Sequence, residues 1–242
     1  MAESFPGYKR QLKDGKEILI ECTCHKQWRE AKDLVQALVK SSLPFSEFML
    51  SYDPKKDYVG DKNIADKIAK ISETLKNSID TSYLVYFTGA PGTQKTIISW
   101  WLGIQLVQNQ RDVRYISMQK LLEEIMVSFD DEQKIRKELY EKIPILIIDD
   151  SFSKQRVSLF KNKDYQLAPF NSLIRGRTHS CIPRHTIVIS DAPIEHISTL
   201  GFGKDIEYFF STTASVLVFP DEFHKIKSKF NPKDIFGKED NT

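Results

Sequence analysis

The sequence predicts an α/β fold in which a five-stranded, largely parallel sheet is packed between helices, and three observations carry that prediction. Five short apolar runs rich in β-formers, "YLVYF", "VRYIS", "ILIID", "HTIVIS" and "SVLVF", follow one another from Tyr83 onward. Each is apolar almost throughout, rather than at alternate positions, which marks strands covered on both faces and therefore parallel. Helical segments separate the first three runs, supplying the crossovers that parallel strands require.

Along the chain, residues 1–80 read as a small, polar, helix-leaning module. "REAKDLVQALVK" places Ala31, Leu34, Val35 and Leu38 at helical spacing before "SSLPF" stops the helix. "SYDPKKDYVGD" reads as loop. "KNIADKIAKISETLKNSI" forms a second amphipathic helix with Ile64, Ile68, Ile71 and Leu75 on one face. Residues 81–242 form the sheet domain. Its first helix, 96–110, is apolar nearly all round, so Trp100 and Trp101 are read as core. Two helices, "MQKLLEEIMVSF" and "DEQKIRKELYEKI", lie between the second and third strands, where a minimal crossover needs one. After "SVLVFP" only a polar, lysine-rich tail remains, too short for another packed domain.

With 242 residues, 40% hydrophobic and 28% charged, the composition is that of a soluble globular protein. A net charge of +2 names no polyanionic partner, so a nucleic-acid reading must rest on local clustering. Three cysteines make no disulfide framework and suit a reducing compartment. "MAESFPGYKRQLKDGKE" lacks the apolar stretch of a secretory signal, and "IISWWLGIQLV" is too short to span a membrane. A cytoplasmic location without a membrane partner is expected.

Chemistry concentrates at three strand ends. "GAPGTQKT", comprising Gly89, Ala90, Pro91, Gly92, Thr93, Gln94, Lys95 and Thr96, joins a strand to a helix. Backbone N–H groups of such a loop can encircle phosphate oxygens, and the helix N-terminus adds a favourable dipole. Lys95 would reach the terminal phosphates and Thr96 would bind Mg²⁺. "PILIIDD" ends a buried strand in Asp149 and Asp150, with Asp149 expected to hold the Mg²⁺ shell and Asp150 to polarise the attacking water. "HTIVISDAP" ends in Ser190 and Asp191, which could sense the γ-phosphate or simply make a strand-ending turn.

This order of parts resembles an AAA+ ATPase of the bacterial helicase-loader group, the DnaC, DnaI and IstB-like proteins, from about Tyr83 to Pro220. "GAPGTQKT" resembles Walker A, "ILIIDD" Walker B and "TIVISDAP" the sensor strand. The paired helices between the second and third strands resemble the extra helix of initiators and loaders. The resemblance implies a P-loop AAA+ domain without a C-terminal lid, ATP and Mg²⁺ as cofactors, and self-association. It also implies a replicative helicase and single-stranded DNA as partners, with a bacterial or phage replication role. "CTCHKQWREAKDLVQALVKSSLPF" is similar to the end of the loaders' N-terminal module, where a Cys-x-Cys completes a zinc site. Cys22, Cys24 and His25 supply three ligands and no preceding pair, so two buried thiols and a surface histidine are expected instead.

Departures from the pattern carry their own expectations. Gln94 stands where Walker A has glycine, which implies a weakened grip on phosphate. Asp150 replaces the usual glutamate, one methylene shorter, which implies slow hydrolysis. Lys204 occupies the region of the arginine finger but lacks its planar fork. Between Lys154 and His185 the basic residues Lys154, Arg156, Lys161, Lys163, Arg175, Arg177 and Arg184 face a single acid, Asp164. Phe160, Tyr165 and Phe170 interleave with them, a composition suited to tracking and stacking a single strand, or to an ordinary basic surface over core aromatics. The expected function is a helicase-loader-like protein in which ATP acts as an assembly switch with weak hydrolysis. The alternatives are an IstB-like transposition helper and a non-hydrolysing adaptor that keeps the fold.

Overall fold

The computed structural model describes residues 8–13, 16–44, 46–58, 60–126, 131–152 and 163–220. The described residues open with an antiparallel hairpin, β1 (Tyr8–Lys13) and β2 (Lys16–Glu21), in register from Tyr8 opposite Glu21 to Lys13 opposite Lys16. Helix α1 (Thr23–Ser41) follows, then the short helices α2 (Glu47–Ser51) and α3 (Pro54–Asp57), and α4 (Lys62–Asn77). Each start has a local cause. The Cys22 sulfur caps α1 by accepting from the His25 N–H, Ser46 caps α2, and the carboxylates of Asp53 and Asp61 cap α3 and α4.

All five expected strands form: β3 (Leu84–Thr88), β4 (Val113–Ser117), β5 (Ile145–Ser151), β6 (His185–Ser190) and β7 (Ser215–Val218). They pair wholly in parallel in the order β4-β5-β6-β3-β7. Helix α5 (Lys95–Gln108) leaves the β3 loop. The two expected helices between β4 and β5 are α6 (Met118–Met126) and α7 (Asp131–Lys142). Helix α8 (Lys163–Thr178) precedes β6, and helix α9 (Lys204–Thr213) precedes β7.

Successive strand residues serve opposite faces, and both faces are buried. Val85, Phe87, Ile145, Ile147, Ile187 and Ile189 meet α5, with α1 and α4 joining the same cluster through Leu38, Ile64, Ile68 and Leu75. Tyr86, Leu146, Ile148 and Val188 meet α6, α8 and α9 on the other side. This three-layer burial is why the strands read as unbroken apolar runs. Gly103 in α5 is part of the fit, since a Cβ there would lie 2.8 Å from Leu43 Cδ2 and 3.1 Å from Ile147 Cδ1.

Among the described residues of the first 80, a β-hairpin precedes the expected helices, and Leu38, Leu43, Met49, Ile64, Ile68 and Leu75 share a core cluster with the sheet. On α4 the expected face is the buried one, with Ile71 packed at its margin. On α1, Leu38 is buried, while Val35 is exposed. No helix among the described residues is long and apolar enough to cross a membrane.

Candidate nucleotide site

Because the sheet is parallel, β3, β5 and β6 deliver their carboxyl ends to one edge, and β6 lies between the other two. The loop after β3, the acids ending β5 and the residues ending β6 therefore line one cavity of about 350 Å³. An open α/β sheet presents its ligand crevice at this edge. The loop residues from Pro91 to Thr96, with Asp149, Asp150, Ser190 and Asp191, all reach it.

The loop is shaped by backbone needs. Gly89 has φ 151°, and a Cβ there would sit 2.5 Å from the Phe219 carbonyl, which closes over the loop after β7. Thr93 Oγ1 donates to the Ala90 carbonyl at 2.9 Å and tightens the turn. Gln94 takes left-handed backbone, φ 68° and ψ 10°, a conformation that glycine adopts without strain and that costs other residues about 1 kcal/mol. Its side chain is buried, with Oε1 accepting from the Tyr52 hydroxyl at 3.5 Å and Nε2 without a hydrogen-bond partner among the described residues.

Lys95 is buried and heavily engaged. Its ammonium donates to the Gly89 carbonyl at 2.8 Å, the Ala90 carbonyl at 2.8 Å and Thr93 Oγ1 at 3.2 Å, and pairs with Asp191 Oδ1 at 2.9 Å. Asp191 is placed for this by its neighbour, since the Ala192 carbonyl accepts from both Tyr86 Oη at 2.6 Å and Thr88 Oγ1 at 2.9 Å. Phosphate oxygens would have to draw Lys95 away from these four acceptors.

At the end of β5, Asp149 is buried and accepts from the Tyr115 hydroxyl at 2.6 Å and from the Asp150 N–H at 2.7 Å. Burial, with Asp149 adding to it, pushes the Tyr115 hydroxyl above its ordinary range, so it stays a donor. A register shift between Ile148 and Ser151 turns Asp150 outward at φ 59°. The Ser190 hydroxyl donates to the Ser151 carbonyl at 2.7 Å and accepts from the Ala192 N–H at 3.0 Å, so it ties two strand ends together. Thr96 and Asp149 line the same cavity, and an oxygen pair of this kind suits Mg²⁺.

Other expected residues go elsewhere. Lys204 opens α9 beside a separate cavity with Asn171 and Gly203. Arg177 is fully buried and donates to Thr186 Oγ1 and to the carbonyls of Tyr140, Ile143 and His185; burial pulls it down to about 9. It is a structural strut, not a nucleic-acid contact, and Phe170 is likewise core. Arg175 stays at the surface edge, held by Asn171 Oδ1 at 2.8 Å and lying over the Phe209 ring. Lys154, Arg156, Lys161 and Phe160 lie outside the described residues; Lys163 begins α8 and Tyr165 lies within it, and the description of both is limited to the backbone. Cys22 is half-buried and Cys24 exposed, against the expectation of two buried thiols, while the His25 ring bonds Glu21 at 2.7 Å. No group of three or more His, Cys, Asp or Glu side chains placed to hold a metal ion occurs among the described residues. The sequence reading missed Tyr115 and Tyr52. The former sits in a strand whose apolar run conceals the hydroxyl, and the latter in a segment that carried only turn signals.

A five-stranded parallel sheet, a glycine-bearing loop after β3 and an acidic end on β5, two strands away, make this a P-loop fold of the AAA+ type. Residues 9–162 match the family described as IstB-like ATP binding protein, well over half of the chain, and the protein belongs to that family. A comparison with curated protein sequences finds no match. Among solved structures, the fold is similar to DnaI at 15% identity and TM-score 0.55, covering 74% of this chain and 98% of that one. It is similar to the DnaC helicase loader at 13% and 0.54, covering 72% and 99%. It also resembles the replication initiator DnaA bound to AMPPCP and single-stranded DNA at 15% and 0.56, covering 69% of this chain and 49% of that one.

Proposed function

We propose that this protein is an ATP-responsive loader of the helicase-loader kind, acting in bacterial or phage DNA replication. The observation that carries the reading is the single cavity in which Lys95, Thr96, Asp149, Asp150 and Asp191 meet behind the phosphate loop. In it the loop N–H groups and Lys95 would hold the phosphates of ATP, and Thr96 and Asp149 would hold Mg²⁺, whose charge would offset that of the phosphate oxygens. Asp149 is kept in place by Tyr115, and Asp150 orients water. Asp191 releases Lys95 when phosphate takes its place, so occupancy is reported at the end of β6 and, through the turns that follow, at Lys204. Lys204 serves the cavity of a neighbouring copy, and Ser190 fixes the strand ends. Hydrolysis is slow, and nucleotide acts as an assembly switch.

The hairpin and α1 bind the partner ATPase, a replicative helicase, through exposed Leu19, Ile20 and Trp28. Lys154, Arg156, Lys161, Lys163 and Arg175 line the path of single-stranded DNA. The likeness of fold to a helicase loader and to a single-stranded-DNA-bound initiator supports this reading. Membership in the IstB-like family favours a second one, in which the partner is a transposase.

The test is Mg²⁺-ATP binding and turnover by wild type and Lys95→Ala, with and without single-stranded DNA. Wild type is expected to bind, and Lys95→Ala to lose at least about 30-fold in affinity, the effect of removing a charge-assisted phosphate contact. Equal binding by both overturns the nucleotide reading. Copurification with a replicative helicase or with a transposase separates the two partners.

A further inference from the structure

Gln94 replaces a residue type for which its own backbone conformation asks. Its φ of 68° belongs to glycine, yet the side chain is not turned loose into solvent: it is 7% exposed and lines the nucleotide cavity. One end of its amide is engaged, with Oε1 at 3.5 Å from the Tyr52 hydroxyl, while Nε2, a two-proton donor, is buried and unpartnered among the described residues. Buried donors are almost always satisfied, and exceptions concentrate where a ligand completes the set. Tyr52 itself is buried in the connection between α2 and α3, and burial pushes its hydroxyl above the ordinary range, so it remains a donor. With the Tyr52 hydroxyl donating to Oε1, the amide presents Nε2 as its free donor.

The geometry points to Gln94 as a phosphate-contacting residue whose Nε2 donates to a phosphate oxygen of the bound nucleotide, with Tyr52 as the positioning residue that orients the amide. This rests on the nucleotide reading of the cavity and deepens it. The donor comes into use when Lys95 leaves the carbonyls of Gly89 and Ala90 for phosphate, a change that nucleotide binding requires in any case. An added amide donor compensates for strain at the last residue before the helix, so the departure from glycine is an adaptation of the loop and not damage to it. It also ties the loop to the α2–α3 segment. Tyr58 of that segment packs edge-on against Phe219, whose carbonyl in turn crowds Gly89. The segment thus reaches Gln94 directly and Gly89 through Phe219.

The experiment is a titration of wild type, Lys95→Ala, Gln94→Gly, Tyr52→Phe and the Gln94→Gly/Tyr52→Phe double variant with ATP, ADP and AMP in Mg²⁺, each checked for folding by circular dichroism. Gln94→Gly is expected to weaken ATP and ADP by about 5-fold, the effect of losing one hydrogen bond to a charged group. AMP, with no β-phosphate, is expected to be unaffected. Tyr52→Phe should weaken ATP by about 3-fold alone and add nothing in the Gln94→Gly background, since it acts through the amide. ATP binding that is equal or tighter in Gln94→Gly, with Lys95→Ala still defective, overturns this inference alone. The absence of binding by wild type overturns the nucleotide reading and this inference with it.

Discussion

At the residue scale, the site is governed by which backbone positions accept a side chain. Gly89 and Gln94 bracket the loop, both at positive φ, yet only Gly89 is also pressed by a neighbouring backbone. A methyl group at Gly89 would meet the Phe219 carbonyl, and the Phe219 N–H, bonded to Thr88 O at 2.7 Å, holds that residue beside the end of β3. Gly89→Ala should therefore destabilise the protein by at least about 2 kcal/mol, through backbone strain and steric displacement together. Denaturant unfolding reads this directly, and an unchanged midpoint would show that the end of β7 yields freely. Gln94 lacks that steric conflict, which is why the loop tolerates it. Arg177 makes the opposite point. In sequence it is one more cation in a basic run, but its four neutral acceptors lie on α7, the connection after it and β6, and no spacing rule brings them together.

Among the elements, the hairpin β1–β2 stands apart from the rest. Its described residues are largely exposed, and ties run from it to the start of α1: the Tyr8 ring lies tilted against His25, and Glu21 pairs with Arg29 at 2.9 Å. By contrast, α4 buries Ile64, Ile68 and Leu75 against the sheet. Deleting residues 1–21 should leave the melting temperature within about 3 °C of wild type, since little apolar area is uncovered, and should abolish capture of the partner ATPase. A pull-down from the two proteins, with melting measured beside it, checks both halves. A large fall in melting temperature would instead assign the hairpin a structural role. A signal for this hairpin does exist in the chain, because Asp14-Gly15 between "YKRQLK" and "KEILIE" is a strong two-residue turn pair. The strands are so polar that the periodicity of an apolar face is absent, and the signal passes unnoticed.

For the molecule as a whole, acid should lower stability through His185, which is buried at the start of β6 against Tyr83. Burial, with Arg111 and Arg177 nearby, pulls it down to about 4 from an ordinary 6.5; a backbone hydrogen bond involving Ser78 opposes the shift. A depressed folded-state value means that the folded protein prefers the neutral ring. The stability this contributes is fully present above pH 6.5 and is lost as pH falls toward 4. About 3 kcal/mol should disappear across that window. His185→Phe should flatten the loss, as urea unfolding at pH 7 and pH 4.5 would show; an equal loss in the variant would assign the acid sensitivity to other groups.

The sequence by itself determined the layered α/β architecture, because strands buried on both faces must be apolar at nearly every position. It also located the three strand ends that carry the chemistry, since a parallel sheet gathers its carboxyl ends at one edge. The order of the strands was left to tertiary structure, which slots β6 between β3 and β5 and so brings Asp191 to Lys95. It also decided the partners of Gln94 and Asp149, Tyr52 and Tyr115. The Asp149–Tyr115 contact spans 34 positions and depends on the parallel register of β4 and β5, while the Gln94–Tyr52 contact spans 42 and depends on the distance between packed elements. That distance is set by the fit of side chains such as Leu43 against Gly103, a property of three-dimensional packing to which local sequence patterns are blind.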